Sequence, residues 1–200
     1  MRRLAILSIL CAAMLSAQTL TLTGPARVRP GTTVPVTLTL AVPPPSLAAT
    51  QWTLTLPSGY TATAIAGAAT MAAEKILYCR PDATLCLTVA AGANLYAGGV
   101  VATYQMTVPA NAPAGNVTVP LLGIIGSALD GSSAPLGSGI PFAFAVLART
   151  DLNGDGVTDK VDLNLMIQEV LSGGPPSTDP DGDGLATVKD AQIVARAMAP

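Results

Sequence analysis

Asp151 to Asp162 reads DLNGDGVTDKVD, and 28 residues later Asp179 to Asp190 reads DPDGDGLATVKD. Each run is twelve residues long, with oxygen-bearing side chains at its first, third, fifth, ninth and twelfth positions and glycine at its sixth. Ca²⁺ is a hard cation that takes about six to eight oxygens at about 2.3–2.6 Å, so one short segment must wrap around it with alternate side chains converging. In the first loop the expected ligands are the side chains of Asp151, Asn153 and Asp155, the Val157 carbonyl, Asp159 directly or through water, and Asp162 as closing carboxylate. In the second they are Asp179, Asp181, Asp183, the Leu185 carbonyl, Thr187 and Asp190. The expected cofactor is therefore a pair of Ca²⁺ ions. Gly156 and Gly184 stand where the backbone turns sharply, and a positive φ is predicted there. Carboxylates about 5 Å apart repel by roughly 3 kcal/mol per pair at an effective dielectric of about 20, so such loops are unstable when empty.

A helix pattern follows each loop. Leu163, Met166, Ile167, Val170 and Leu171 fall at i, i+3, i+4, i+7 and i+8, and Ser172-Gly173-Gly174-Pro175-Pro176 ends the run. Ala191, Val194, Ala195 and Met198 repeat the stripe with smaller side chains. One acidic, Gly-rich turn can alternate by chance; two copies, each leading into an amphipathic helix, predict a duplicated loop–helix unit.

Two such loops, each closed by aspartate and followed by its helix, resemble a dockerin module over Asp151 to about Ala199. Dockerins are calcium-dependent plugs that attach bacterial enzymes and scaffold proteins to cohesin modules, chiefly in polysaccharide-degrading assemblies. The resemblance implies a partner chosen at the tenth and eleventh loop positions, here Lys160 and Val161, then Val188 and Lys189. The family usually has Ile or Val at the eighth position, pairing the loops across a short β-bridge. This chain has Thr158 and Ala186 there, which implies a weaker or shifted pairing.

The rest of the chain reads differently. Nine of the twelve acidic residues follow Ala148, so residues 149–200 carry a net −5 and residues 18–148 a net +1. Arg2 and Arg3, an apolar run from Leu4 to Leu15 and Ser16-Ala17 predict an export signal over residues 1–17, too short to span a bilayer. From Gln18 to Leu147 apolar residues alternate: Val34, Val36, Leu38, Leu40; Trp52, Leu54, Leu56; Leu85, Leu87, Val89; Val100 to Val108; Val117, Val119, Leu121; Ile140, Phe142, Phe144, Val146. Turn chemistry separates them, at Arg29-Pro30-Gly31, Pro43-Pro44-Pro45, Pro57-Ser58-Gly59, Ala97-Gly98-Gly99, Asn111-Ala112-Pro113 and Asp130-Gly131. Many short strands at this spacing predict a β-sandwich of the jelly-roll or Ig-like class over residues 18–148, with a small helical module over residues 149–200. Arg80-Pro81-Asp82-Ala83 is a type I turn signal between KILYC and LCLTV, which brings Cys79 and Cys86 across a hairpin, either oxidised to a disulfide or as buried thiols.

RVRPGTTVPVTLTL, ATQWTLTLPSG and GGVVATYQMTVPANAPAGNVTVPL resemble cohesin modules in order and spacing, with a departure at Leu56-Pro57, where that family often has Tyr-Asp. A cohesin-like sandwich followed by a dockerin-like tail implies a partner of cohesin or dockerin type, with a second copy of this chain among the candidates. Polysaccharide is the alternative ligand, because related sandwiches bind sugar. Trp52 and Tyr104 alternate in phase with core residues, which leaves Tyr60 and Tyr96 as candidates for sugar stacking.

Composition excludes other classes. No basic patch is large enough for nucleic acid. There is no histidine, and Glu74 and Glu169 are the only glutamates. Most aspartates are committed to the two loops, and Asp82 and Asp130 sit in turns, so neither facing glycosidase carboxylates nor a serine hydrolase's base is on offer. The expectation is a non-enzymatic assembly protein, exported to the extracellular space or cell surface, with the periplasm as the other destination.

Overall fold

The computed structural model describes residues 19–41, 47–90, 92–173 and 176–198. The export signal, the Pro43-Pro44-Pro45 turn and Gly174-Pro175 lie outside the described residues. The elements in order are β1 Leu20–Thr23, β2 Arg27–Val28, β3 Thr33–Leu40, β4 Ala49–Leu54, β5 Thr61–Ala66, α1 Ala68–Ala72, β6 Lys75–Cys79, β7 Leu85–Ala90, β8 Gly99–Thr107, β9 Gly115–Val119, β10 Leu121–Ser127, β11 Phe142–Val146, α2 Lys160–Ser172 and α3 Val188–Ala197.

Two antiparallel four-stranded sheets, β1-β3-β8-β5 and β10-β4-β7-β6, face each other, and a small sheet β2-β11-β9 joins its first two strands in parallel. The alternating residues explain this layering. Leu20, Leu22, Val36, Leu38, Leu40, Tyr104 and Met106 from one sheet meet Trp52, Leu54, Cys86 and Leu121 from the other in one buried cluster. Trp52 and Tyr104 are fully enclosed. Their polar atoms satisfy one another: the Trp52 indole donates to the Tyr104 hydroxyl at 2.5 Å, and that hydroxyl donates to Cys86 Sγ at 3.4 Å. Burial pushes the Tyr104 phenol up to about 12.

The β6–β7 hairpin places Cys79 opposite Cys86, and the pair is joined as a disulfide. Its turn closes with the Ala83 amide donating to the Arg80 carbonyl at 2.8 Å, while Ala83 takes a left-handed φ of 55°. The Asp82 carboxylate accepts from the Thr84 amide and hydroxyl and fixes that geometry.

The two outer faces of the sandwich differ. On β1-β3-β8-β5, the cross-strand rows are Thr23–Thr37–Thr103 and Thr33–Thr107–Thr61. Hydroxyl pairs Thr23–Thr37 and Thr33–Thr107 lie 2.7 and 2.8 Å apart. On β10-β4-β7-β6 the rows are Ile125–Gln51–Leu87–Tyr78 and Leu122–Thr53–Leu85, with Ile76 beside Val89.

Candidate metal loops and docking face

The two repeated loops fold alike, almost bond for bond. At position one, Asp151 Oδ1 and Oδ2 accept from the amides of Gly154 and Gly156 at 2.7 and 2.8 Å, and Asp179 does the same with Gly182 and Gly184 at 2.6 and 2.7 Å. Gly156 and Gly184 have φ values of 95° and 84°, the left-handed conformation that the sixth position predicted. At positions three and five, Asn153 accepts from Asp155 and Asp155 from Val157 at 2.9 and 2.8 Å. In the second loop Asp181 accepts from Asp183 and Asp183 from Leu185 at 3.1 and 2.9 Å. At position twelve, Asp162 accepts from the Leu152 and Asn153 amides with one oxygen and from the Asp159 amide with the other. Asp190 accepts from Asp181 with one oxygen and from the Thr187 amide and hydroxyl with the other.

Helix capping shares these residues. Asp159 is the N-cap of α2 with Asp162 at its third position, and Thr187 and Asp190 do the same for α3, each pair forming a reciprocal capping box. That role was legible as D-x-x-D and T-x-x-D but is absent from the ligand spacing alone. Val157 and Leu185 have exposed side chains, so their contribution to the loop is backbone.

Asp162 and Asp190 are fully buried and Asp151 is 1 % exposed. Among the described residues no lysine or arginine ion-pairs with any of them; the ion pair is Lys189 to Asp181, at 2.7 Å. A buried carboxylate is costly without a counter-charge, so a cation fits among these groups. Asp179, Asp181 and Asp183 each present one oxygen within 4.8 Å of the other two. Loop one has the amide of Asn153 in the middle place and the same frame. All-oxygen donors on such a frame suit Ca²⁺.

The Lys189 ammonium holds Asp181 below the usual carboxylate range, and Asp181 raises Lys189 in return. Asp155 is also held low, by the Val157 amide first, then the Asn153 side chain and the Arg27 guanidinium. Lys160, Val161, Val188 and Lys189 are all exposed on the first turns of α2 and α3. The Lys189 contact with Asp181 was not anticipated, since it depends on how α3 leaves the loop.

The helices pack less broadly than their stripes predict. Leu152, Met166 and Val194 are the buried core of the tail, with Leu163, Leu165, Val170, Ala186 and Ala191 against it. Ile167, Leu171 and Ala195 are exposed, Leu171 by 80 %. Two short helices packing on each other cover only a narrow strip, so the outer part of a three-to-four-residue stripe meets water. Among the described residues no β-bridge joins the loops: the Thr158 hydroxyl lies 2.8 Å from that of Thr150, and Ala186 turns into the tail core.

The sandwich touches the tail through arginines. Arg29 donates to the carbonyls of Asp151 and Leu152, both at 2.7 Å, and Arg27 to that of Gly154 at 3.0 Å. The Arg149 guanidinium donates to the Ala110 carbonyl. Sequence spacing does not signal these contacts: those of Arg27 and Arg29 join residues more than 120 positions apart, and that of Arg149 spans 39.

The outer face of β10-β4-β7-β6 carries Ile76, Tyr78, Leu122 and Ile125, between 46 and 57 % exposed, around Leu85, Leu87 and Val89. Among the described residues, this is a broad apolar face without charge at its centre. The sugar-stacking candidates fare poorly. Tyr96 is buried, with its hydroxyl against Thr70, and Tyr60 is half-buried and tilted against Phe144 at 6.3 Å. The Tyr96 amide itself donates to the Leu47 carbonyl at 3.0 Å, which draws its ring inward. Among the described residues no helix is long and apolar enough to cross a membrane.

No protein-family model matches the sequence, and no curated protein matches it. Solved structures do. A non-cellulosomal cohesin from the archaeon Archaeoglobus fulgidus is similar at 14 % identity and a TM-score of 0.53, over 69 % of this chain and 96 % of that one. A chain of a type I cohesin–dockerin complex from Clostridium thermocellum is similar at 14 % identity and a TM-score of 0.54, over 66 % of this chain and 99 % of that one. The chain is mostly β, and its fold is cohesin-like.

Proposed function

We propose that this protein is an exported, non-catalytic adaptor that docks other proteins. Its sandwich, residues 18–148, receives a calcium-loop tail of dockerin type. Its own tail, residues 149–200, holds two Ca²⁺ ions and plugs into a sandwich of cohesin type on another chain. The observation that carries the docking role is the apolar outer face of β10-β4-β7-β6, on a chain whose fold resembles that of a partner in a cohesin–dockerin complex. Burying such a face needs a partner with a matching apolar strip, and the exposed Val161, Ile167, Leu171 and Val188 of a second tail supply one.

Bound Ca²⁺ supplies the positive charge that the converging carboxylates lack. Asp151, Asn153, Asp155, Asp159 and Asp162, with the Val157 carbonyl, hold the first ion. Asp179, Asp181, Asp183, Thr187 and Asp190, with the Leu185 carbonyl, hold the second. The surrounding amides hold the carboxylates in place. A segment of about 50 residues has too small a core to be secure alone, so metal binding contributes much of its folding free energy.

Far-UV circular dichroism of residues 18–200 with calcium and then EGTA tests the metal half: the helical signal is expected to fall while the β signal persists, and an unchanged helical signal sinks it. Sedimentation velocity tests the docking half. Calcium-dependent oligomers that Leu87→Asp abolishes identify the sandwich face and a second copy as partners. Monomers throughout move the search to other dockerin-type and cohesin-type chains, and failure to bind any of them ends the docking reading. Retardation in gels containing soluble glucans or xylans would instead favour a carbohydrate-binding module displayed through the tail.

A further inference from the structure

We propose that Arg27 and Arg29, which belong to the sandwich, are positioning residues for the first calcium loop, so that an ion in that loop also fixes the tail's orientation on the sandwich. The inference rests on the calcium reading above and adds to it that the two loops are not equivalent.

The geometry begins in β2. Val28 turns into the core while Arg27 and Arg29, on either side of it, face the tail. β2 runs parallel to β11, pairing Arg27 with Ala145 and Val28 with Val146, and the Leu147 amide donates to the Val28 carbonyl at 2.9 Å. The arginines thus stand level with the chain as it leaves the sandwich for Asp151. The Arg29 fork takes two successive loop carbonyls, Asp151 and Leu152, and Arg27 takes a third, Gly154. Thr32 holds the backbone of Arg29 by donating its hydroxyl to the Arg29 carbonyl at 2.7 Å. Among the described residues the corresponding carbonyls of loop two, those of Asp179, Pro180 and Gly182, receive no such donor.

Three carbonyls converge on fixed guanidiniums only while the loop is closed. Carboxylate repulsion opens an empty loop, so closing it with an ion favours the contact, and by linkage the contact must favour the ion by the same factor. The guanidinium charges oppose a cation. Arg27 is exposed and Arg29 partly so, however, and water screens that repulsion while the charge-assisted bonds act at contact.

Calorimetric titration of residues 18–200 with CaCl₂ tests this. Asp179→Ala leaves loop one as the binding site, and Asp151→Ala leaves loop two. Adding Arg29→Met is expected to weaken calcium about tenfold in the first background and to change nothing in the second. Arg29→Lys, which keeps the charge without the fork, is expected to behave like Arg29→Met. No change in the first background, a gain in affinity, or an equal loss in both overturns the proposal. Because altering one loop can unfold the tail, a second readout uses intact loops: trypsin cleavage after Arg149, followed by mass spectrometry. With calcium, Arg29→Met should be cut several-fold faster than the parent, and in EGTA the two should match. Equal rates in calcium overturn the proposal. Failure of the parent itself to bind calcium sinks the calcium reading, whereas calcium binding that ignores Arg29→Met sinks the arginine role alone.

Discussion

The sandwich and the tail solve the problem of a stable interior in opposite ways. The sandwich encloses a large cluster of Leu, Val, Trp52 and Phe side chains and adds a disulfide, and the polar atoms of its two largest buried rings, Trp52 and Tyr104, pair with each other. The tail encloses Leu152, Met166 and Val194 and surrounds them with carboxylates that collect backbone amides. A short segment cannot bury enough apolar surface, and this one brings the carboxylates of Asp151, Asp162 and Asp190 inside as well. The difference teaches that one chain can contain two interiors of opposite chemistry, and on the calcium reading proposed above only the tail answers to the ion.

The sharpest way to break that comparison is Trp52→Ala. It removes the largest side chain of the sandwich core and should cost about 3–5 kcal/mol in urea unfolding, with no recovery on adding calcium. Recovery would mean that the two parts are not separable. Met166→Ala should cost the tail about 2–4 kcal/mol. Here calcium at about a thousand times its dissociation constant restores up to about 4 kcal/mol, so the signal at 222 nm should return. Reduction of Cys79–Cys86, a closure over seven positions, should lower sandwich stability by about 2–3 kcal/mol and leave the tail helices unchanged. Tyr104→Phe should have the smallest effect at neutral pH, about 1 kcal/mol. Its signature is alkaline. The fold favours the neutral phenol, so the stability Tyr104 contributes is full below about pH 10 and is lost as pH rises towards about 12, roughly 2–3 kcal/mol in all. Tyr104→Phe should flatten that fall, and tyrosinate absorbance should show Tyr104 titrating only with unfolding.

Much of this architecture was legible because it rests on short-range rules. Period-two alternation found β3, β4, β8, β9 and β11, since each buries its apolar face on the core; it found β7 too but with the faces exchanged, because Cys86 and Thr88 turn into the core and Leu85, Leu87 and Val89 lie on the outer face. Where alternation fails, so does the reading. β10 carries a register shift between Leu122 and Ile125, so its apolar residues no longer alternate, and β5 is written in Thr and Ala with little apolar contrast. The loops were legible because ligand spacing is local chemistry. The arginine contacts and the buried position of Tyr96 depend on where distant segments meet, which no local pattern records.

The uneven charge has a colloidal consequence. Without residues 1–17 the chain has eight basic and twelve acidic residues, a net charge of −4. Two divalent ions would cancel that charge. The calcium-loaded protein would then migrate with no net mobility in an electric field near neutral pH and would lose the mutual repulsion that keeps copies apart. Its concentration limit should fall as calcium rises, which on the proposed function is the same step that readies the tail for docking.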